Sequence, residues 1–180
     1  KALAYWPQRF VTDLDADDLL RLLEQIVASG RHVAVMAHFS HPREMQSALT
    51  EEAVRRLRAV GCEIRMQAPV MRHINDSARV WAEMWRRGVR LGMIPYYMFV
   101  SRDTGPRRYF ELPLARAVRI FRGAYSQVSG LARTVRGPVM SAMPGKVHVH
   151  GVAEVGGEQA FVLSFLQGRR AEWVGRPFFA

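Results

Sequence analysis

The sequence predicts an α/β protein: a partial (β/α) barrel of parallel strands and helices, followed by a C-terminal β-hairpin. Three observations predict it. Amphipathic helical segments alternate with short apolar runs, the rhythm of parallel α/β units. Glycines that close the helices recur at Gly30, Gly61 and Gly88, about evenly spaced. From about Lys146 the hydrophobic period changes to two, the mark of a hairpin. A complete eight-stranded barrel takes about 250 residues. This chain has 180, so only part of a barrel, or a small open sheet, is expected. The expected division is 1–145 for the partial barrel and 146–180 for the hairpin and tail.

The first unit is DADDLLRLLEQIVASG, with acidic residues at its start, a leucine face and Gly30 as its stop. The buried-strand run HVAVMA follows. TEEAVRRLRAVG repeats the pattern, with Thr50 as the expected N-cap and Gly61 past the end. The strand CEIRMQAPV comes next. DSARVWAEMWRRG is a third helix, capped by Asn75 or Asp76 and stopped at Gly88. VRLGMIPYYMF is the third strand. PLARAVRIFRGAYSQVSG is a fourth helix, with Pro113 in its first turn. KVHVHGVAEV and EQAFVLSFL then alternate around Gly156-Gly157 as a hairpin. Residues 167–180 read as a polar tail with late aromatics.

The chain is 49% hydrophobic, enough for one substantial core. No apolar run reaches the roughly 20 residues of a membrane helix. The opening KALAYWPQRF lacks the apolar region of a signal peptide, so a fragment or excised domain in a cytoplasmic setting is expected. The single Cys62 excludes an internal disulfide and a cysteine-clustered metal site. A net charge of +10 invites an anionic partner. The arginines, however, are spread along the polar faces of several helices, a pattern that disfavours nucleic acid as a partner.

Polar residues collect where the strands end, the usual place for function in parallel α/β proteins. The first strand runs into His38 and His41. The second runs into Gln67, then Arg72, His73, Asn75 and Asp76. The third runs into Arg102 and Asp103. A zinc site needs three or four ligands, and no set with convincing spacing is present, so no metal is expected on the histidines. His148 and His150 alternate and so share one face of a strand. Lys146 stands apart, because only Lys1 and Lys146 are lysine and the other 24 basic residues are arginine. An amine can condense with an aldehyde, whereas a guanidinium cannot at neutral pH.

In order and spacing, AHFSHPRE, RMQAPVMRHINDS, MIPYYMF and VSGLARTVRGPVMSAMPGK resemble the lysine 2,3-aminomutase family of radical S-adenosylmethionine enzymes. The resemblance covers roughly residues 5–150, the C-terminal part of such proteins. It implies an isomerase that moves an amino group between neighbouring carbons of a small amino-acid substrate. Its cofactors would be pyridoxal phosphate, S-adenosylmethionine and a 4Fe-4S cluster. Lys146 matches the lysine that forms the imine with pyridoxal phosphate. His38, His41 and Gln67 match positions lining the S-adenosylmethionine and cofactor side. Arg72, Asn75 and Asp76 match a family loop of mainly structural character. The resemblance also leaves a homo-oligomer open.

Several positions depart from the family. The cluster motif of three cysteines belongs to the N-terminal half of family members and is absent here, so this chain alone is expected to be inactive. Lysine mutases place two aspartates against the distal ammonium of lysine. Arg102 stands at the first position, with Asp103 adjacent. The second falls in Val139-Met140-Ser141, which has no carboxylate. The expected substrate is therefore an amino acid other than free lysine, with an acidic or neutral side chain. Phe99 replaces a family tyrosine, and Pro144-Gly145-Lys146 is poorer in glycine than the usual turn. Two alternatives stand beside this reading. One is the relative that β-lysylates an elongation factor; the other is a basic α/β binding module without catalysis.

Overall fold

A computed structural model describes residues 6–101 and 105–180. One mixed sheet of seven strands organises them, and its spatial order follows the chain. Strands β1 (Ala34–His38), β2 (Glu63–Val70), β3 (Ile94–Val100) and β4 (Arg136–Ala142) are parallel. Strands β5 (Gly145–Val155), β6 (Glu158–Gly168) and β7 (Pro177–Phe179) continue the sheet antiparallel to their neighbours. Helices α1 (Ala16–Ala28), α2 (Ala48–Ala59), α3 (Ala78–Arg90), α4 (Arg107–Phe110) and α5 (Leu114–Tyr125) fill the connections.

Among the described residues, the helices of the parallel half pack their core against one face of the sheet. On β2 the even positions Ile64, Met66, Ala68 and Val70 are buried. They join Trp81, Met84 and Trp85 of α3 and Val54 and Leu57 of α2 in the main core. The odd positions Glu63, Arg65, Gln67 and Pro69 turn to the other face and are only partly covered, as strand alternation requires. A smaller core joins Val118 of α5 to Val147, Val149 and Leu163 of β5 and β6. Val147 and Val149 therefore face the helices, and Lys146, His148 and His150 face away from them.

The helix boundaries correct four expectations. The N-cap of α2 is Ser47, whose hydroxyl accepts from the Thr50 N–H at 3.2 Å. Thr50 lies inside the helix, fully buried, and its Oγ1 donates to the Glu44 carbonyl at 2.7 Å. The N-cap of α3 is Ser77, while Asp76 pairs with Arg116 at 3.1 Å. Gly88 does not stop α3. It is buried within the helix, where a Cβ would meet Met66 Sδ at 1.9 Å. The left-handed residue that lets the chain leave is Gly92, at φ 82°, so β3 begins at Ile94 rather than at the Val89 expected from the sequence.

Two strands are additions to the sequence reading. RGPVMSA forms β4 between β3 and β5, although Gly137-Pro138 resembles a turn. The tail contributes β7, which pairs Val162 with Phe179 and Leu163 with Phe178. Burial of Phe178 against Phe165, with ring centroids 5.1 Å apart, holds the tail on the sheet. The β5–β6 pair turns at Gly156-Gly157, both with positive φ, the geometry a tight hairpin needs.

Candidate cofactor face

The face of the sheet turned away from the helices carries the chemistry. Register places His38 opposite Gln67, Gln67 opposite Tyr97 and Tyr97 opposite Arg136, so one row crosses four strands. Further along, Phe99 lies opposite Val139, Val139 opposite His148, and Ser141 opposite Lys146.

In this row the Gln67 Nε2 amide donates to His38 Nε2 at 3.0 Å. Lys146 is half-buried. Its Nζ sits 4.5 Å from the centre of the Tyr97 ring and 5.7 Å from that of Phe99, within reach of a cation–π contact. The amine is thus drawn onto an aromatic platform rather than out into solvent. The Phe99 ring carries no hydroxyl and extends the platform with apolar surface.

Two guanidinium groups border the platform. Arg136 Nη1 donates to the Tyr97 hydroxyl at 3.4 Å. Arg65 and Arg136 lie over the Tyr96 ring at 5.0 and 5.6 Å. Arg65 is neutralised by Glu63, its close partner. Beyond Lys146, His148 Nε2 donates to the Gly137 carbonyl at 3.2 Å. His150 Nε2 shares a 2.7 Å hydrogen bond with Ser164 Oγ, and the two imidazole rings lie 4.3 Å apart. Burial holds the His148 pKa below its ordinary 6.5, and the neighbouring His150 and Arg136 push the same way, so this ring is neutral at pH 7. The two histidines and Ser164 edge a groove of about 560 Å³, walled by Phe165 and Val174.

The structure thus brings Lys146, Gln67, His38 and Ser141 onto one face. It gives His41 another task. His41 caps the 3₁₀ turn Pro42–Met45: its Nδ1 accepts from the Arg43 N–H at 3.2 Å, and its own N–H donates to Glu44 Oε1 at 2.7 Å. Asn75 is fully buried and braces the loops. Its amide donates to the Ser40 and Pro69 carbonyls and its Oδ1 accepts from Met71 N–H. Arg72 ties its backbone N–H to the Phe110 carbonyl at 2.8 Å. His73, at φ 68°, stacks on Tyr109 at 4.7 Å. Arg102 and Asp103 lie outside the described residues. Among the described residues no three His, Cys, Asp or Glu side chains group as metal ligands. Cys62 is buried, and that burial raises its thiol pKa.

Arg136 and the platform role of Tyr97 are not apparent in the sequence. The signal for Arg136 is its place three residues before Val139, the partner of Phe99, which becomes readable only once RGPVMSA is known to be a strand.

The chain is 32% identical over 152 residues to an Aquifex aeolicus protein assigned as an L-lysine 2,3-aminomutase, covering 84% of this chain and 39% of that one. The chain belongs to the lysine 2,3-aminomutase family. The L-lysine 2,3-aminomutase of Clostridium subterminale is 28% identical over 52% of this chain and 22% of its own length. That of Escherichia coli is 27% identical over 64% and 35%. This chain therefore spans well under half the length of these family members. A crystal structure of a radical SAM methyltransferase from Sphaerobacter thermophilus overlays with a TM-score of 0.46 and 15% identity, covering 68% of this chain and 38% of that chain. No protein-family model matches the chain. No helix among the described residues is long and apolar enough to cross a membrane.

Proposed function

We propose that this chain is the cofactor-anchoring part of an amino-acid 2,3-aminomutase-like enzyme of the radical S-adenosylmethionine class. On this reading β1–β4 form an arc of a (β/α) barrel, and the face bearing Lys146 looks into its interior. The observation that carries the proposal is the position of Lys146: the one internal lysine, its amine on the Tyr97 and Phe99 rings, on the same face as the His38–Gln67 pair.

The residues present fit pyridoxal phosphate. Lys146 Nζ is the nucleophile for its aldehyde. Tyr97 and Phe99 offer flat apolar surface for a heteroaromatic ring. When bound, the cofactor supplies an electron-delocalising ring for chemistry at the substrate's amino nitrogen. Tyr97 and Phe99 exclude water from one side of the amine, and Ser141, opposite Lys146, offers a hydroxyl beside it. His38 and Gln67, locked to each other, are placed to hold the S-adenosylmethionine side. The residues do not fit an iron–sulfur cluster, because the only cysteine is buried in the core, and no step is assigned to a cluster held by this chain.

The substrate reading follows from charge. Among the described residues of this face the carboxylate is Glu63, and Arg65 already occupies it. With Arg102 standing where lysine mutases carry an aspartate, the proposed substrate is an amino acid other than free lysine, with an acidic or neutral side chain. Glutamate and norleucine turned over faster than lysine is the expected order, and lysine preferred would refute it.

The anchor assignment is tested in the intact protein loaded with pyridoxal phosphate and reduced with borohydride. Peptide mass mapping should find the cofactor fixed on Lys146. Lys146→Ala should abolish the product. A reduced adduct that persists unchanged in Lys146→Ala would refute the proposal.

A further inference from the structure

Three cations converge on two adjacent tyrosines of β3. Arg65 and Arg136 flank the Tyr96 ring. Arg136 and Lys146 both lean on the Tyr97 ring, at 5.9 and 4.5 Å. Like charges gathered this way repel, and aromatic faces repay only part of that cost. Glu63 neutralises Arg65. Among the described residues no carboxylate pairs with Arg136 or Lys146. The Arg136 side chain is exposed, and its one hydrogen bond to the described residues, donated to the Tyr97 hydroxyl, is long at 3.4 Å. Most of its fork of N–H donors is therefore open toward the face that carries Lys146. A planar guanidinium fork matches the paired oxygens of a phosphate or a carboxylate.

We propose that Arg136, with Lys146 across the Tyr97 ring, forms an oxyanion site. It takes either the phosphate of the cofactor or the side-chain carboxylate of a dicarboxylic amino-acid substrate. The identity of those two ligands rests on the cofactor reading above; the anion site itself does not. It lies at the position where a bound ligand would reach from the amine toward β4, and it makes Arg136 the residue that selects for negative charge.

The test uses pyridoxine phosphate, which has no aldehyde and cannot condense with Lys146. Its affinity for the intact protein is measured by calorimetry beside that of pyridoxine. The phosphate ester should bind more tightly than the alcohol. Arg136→Gln should weaken it by about 10-fold or more, the loss of a charge-assisted contact, with Arg136→Lys in between. Arg133→Gln should change nothing, because Arg133 is spent on the Tyr125 carbonyl and ring. If pyridoxine phosphate is indifferent to Arg136→Gln but glutamate binding falls by a similar factor, the site serves the substrate carboxylate. If neither ligand responds to Arg136→Gln in a protein whose circular dichroism is unchanged, the proposal is overturned. A protein that shows the Arg136 effect but no reducible adduct on Lys146 would retain the anion site and lose the cofactor anchor.

Discussion

Asn75→Ala should cost about 3 kcal/mol of stability, and the number follows from three hydrogen bonds. Asn75 is fully buried between the end of β2 and the segment after β1. Its Oδ1 accepts from the Met71 N–H at 2.7 Å, and its Nδ2 donates to the Ser40 carbonyl at 2.9 Å and the Pro69 carbonyl at 3.0 Å. Each bond has a net worth of about 1 kcal/mol, and stranding the part-buried backbone partners keeps the loss from being smaller. With a urea slope of about 2 kcal/mol/M, the midpoint should drop by about 1.5 M, followed through the fluorescence of the buried Trp81 and Trp85. Asn75→Asp is the sharper probe. It keeps the acceptor for Met71 but turns a carboxylate toward two carbonyls, so it should be no milder than alanine at pH 7. A midpoint change below about 0.5 M for both variants would refute the reasoning, because it would mean that the three bonds do not brace these loops.

Gly88→Ala separates two opposed effects. Helix propensity alone predicts a gain of about 1 kcal/mol. The contact with Met66 predicts a loss of about 1–3 kcal/mol from overpacking, and a raised melting temperature would discredit the packing argument. His148 gives a pH signature. Its folded pKa is depressed, so its contribution is present above the ordinary value of 6.5 and is lost as pH falls from there through the folded pKa. The melting temperature should therefore decline between pH 7.5 and the acid side of that window, and His148→Gln should flatten this decline. The groups that face the ring are His150 on its own strand, Arg136 on β4 and Ser164, its register partner on β6. A profile identical to wild type would remove His148 as its source.

Much of the architecture was legible because it is local. Periods of 3.6 and 2, acidic first turns and Gly30 and Gly61 placed α1, α2, β1 and β2 and located β5 and β6. Each signal depends on residues a few positions apart. Lys146 stood out for a compositional reason, and the order of the surrounding motifs indicated the family. Gly88 misled because its smallness serves contact with Met66, a residue on another element. Ser47 displaced Thr50 as cap because the turn Pro42–Met45 takes Thr50's hydroxyl through the Glu44 carbonyl.

What the sequence by itself determined is thus the set of elements with a strong local period, and Lys146 as the one internal lysine. Only the tertiary structure decided which side chains meet that amine. Tyr97 and Phe99, whose rings it lies against, come from β3, and Ser141, its register partner, comes from β4; parallel and antiparallel register rather than spacing along the chain brings them together. β4 itself becomes a strand because β3 and β5 supply the hydrogen-bonding partners on either side, which no window centred on Gly137-Pro138 contains. The same pairing brings the cation of Arg136 to the ring that also holds Lys146.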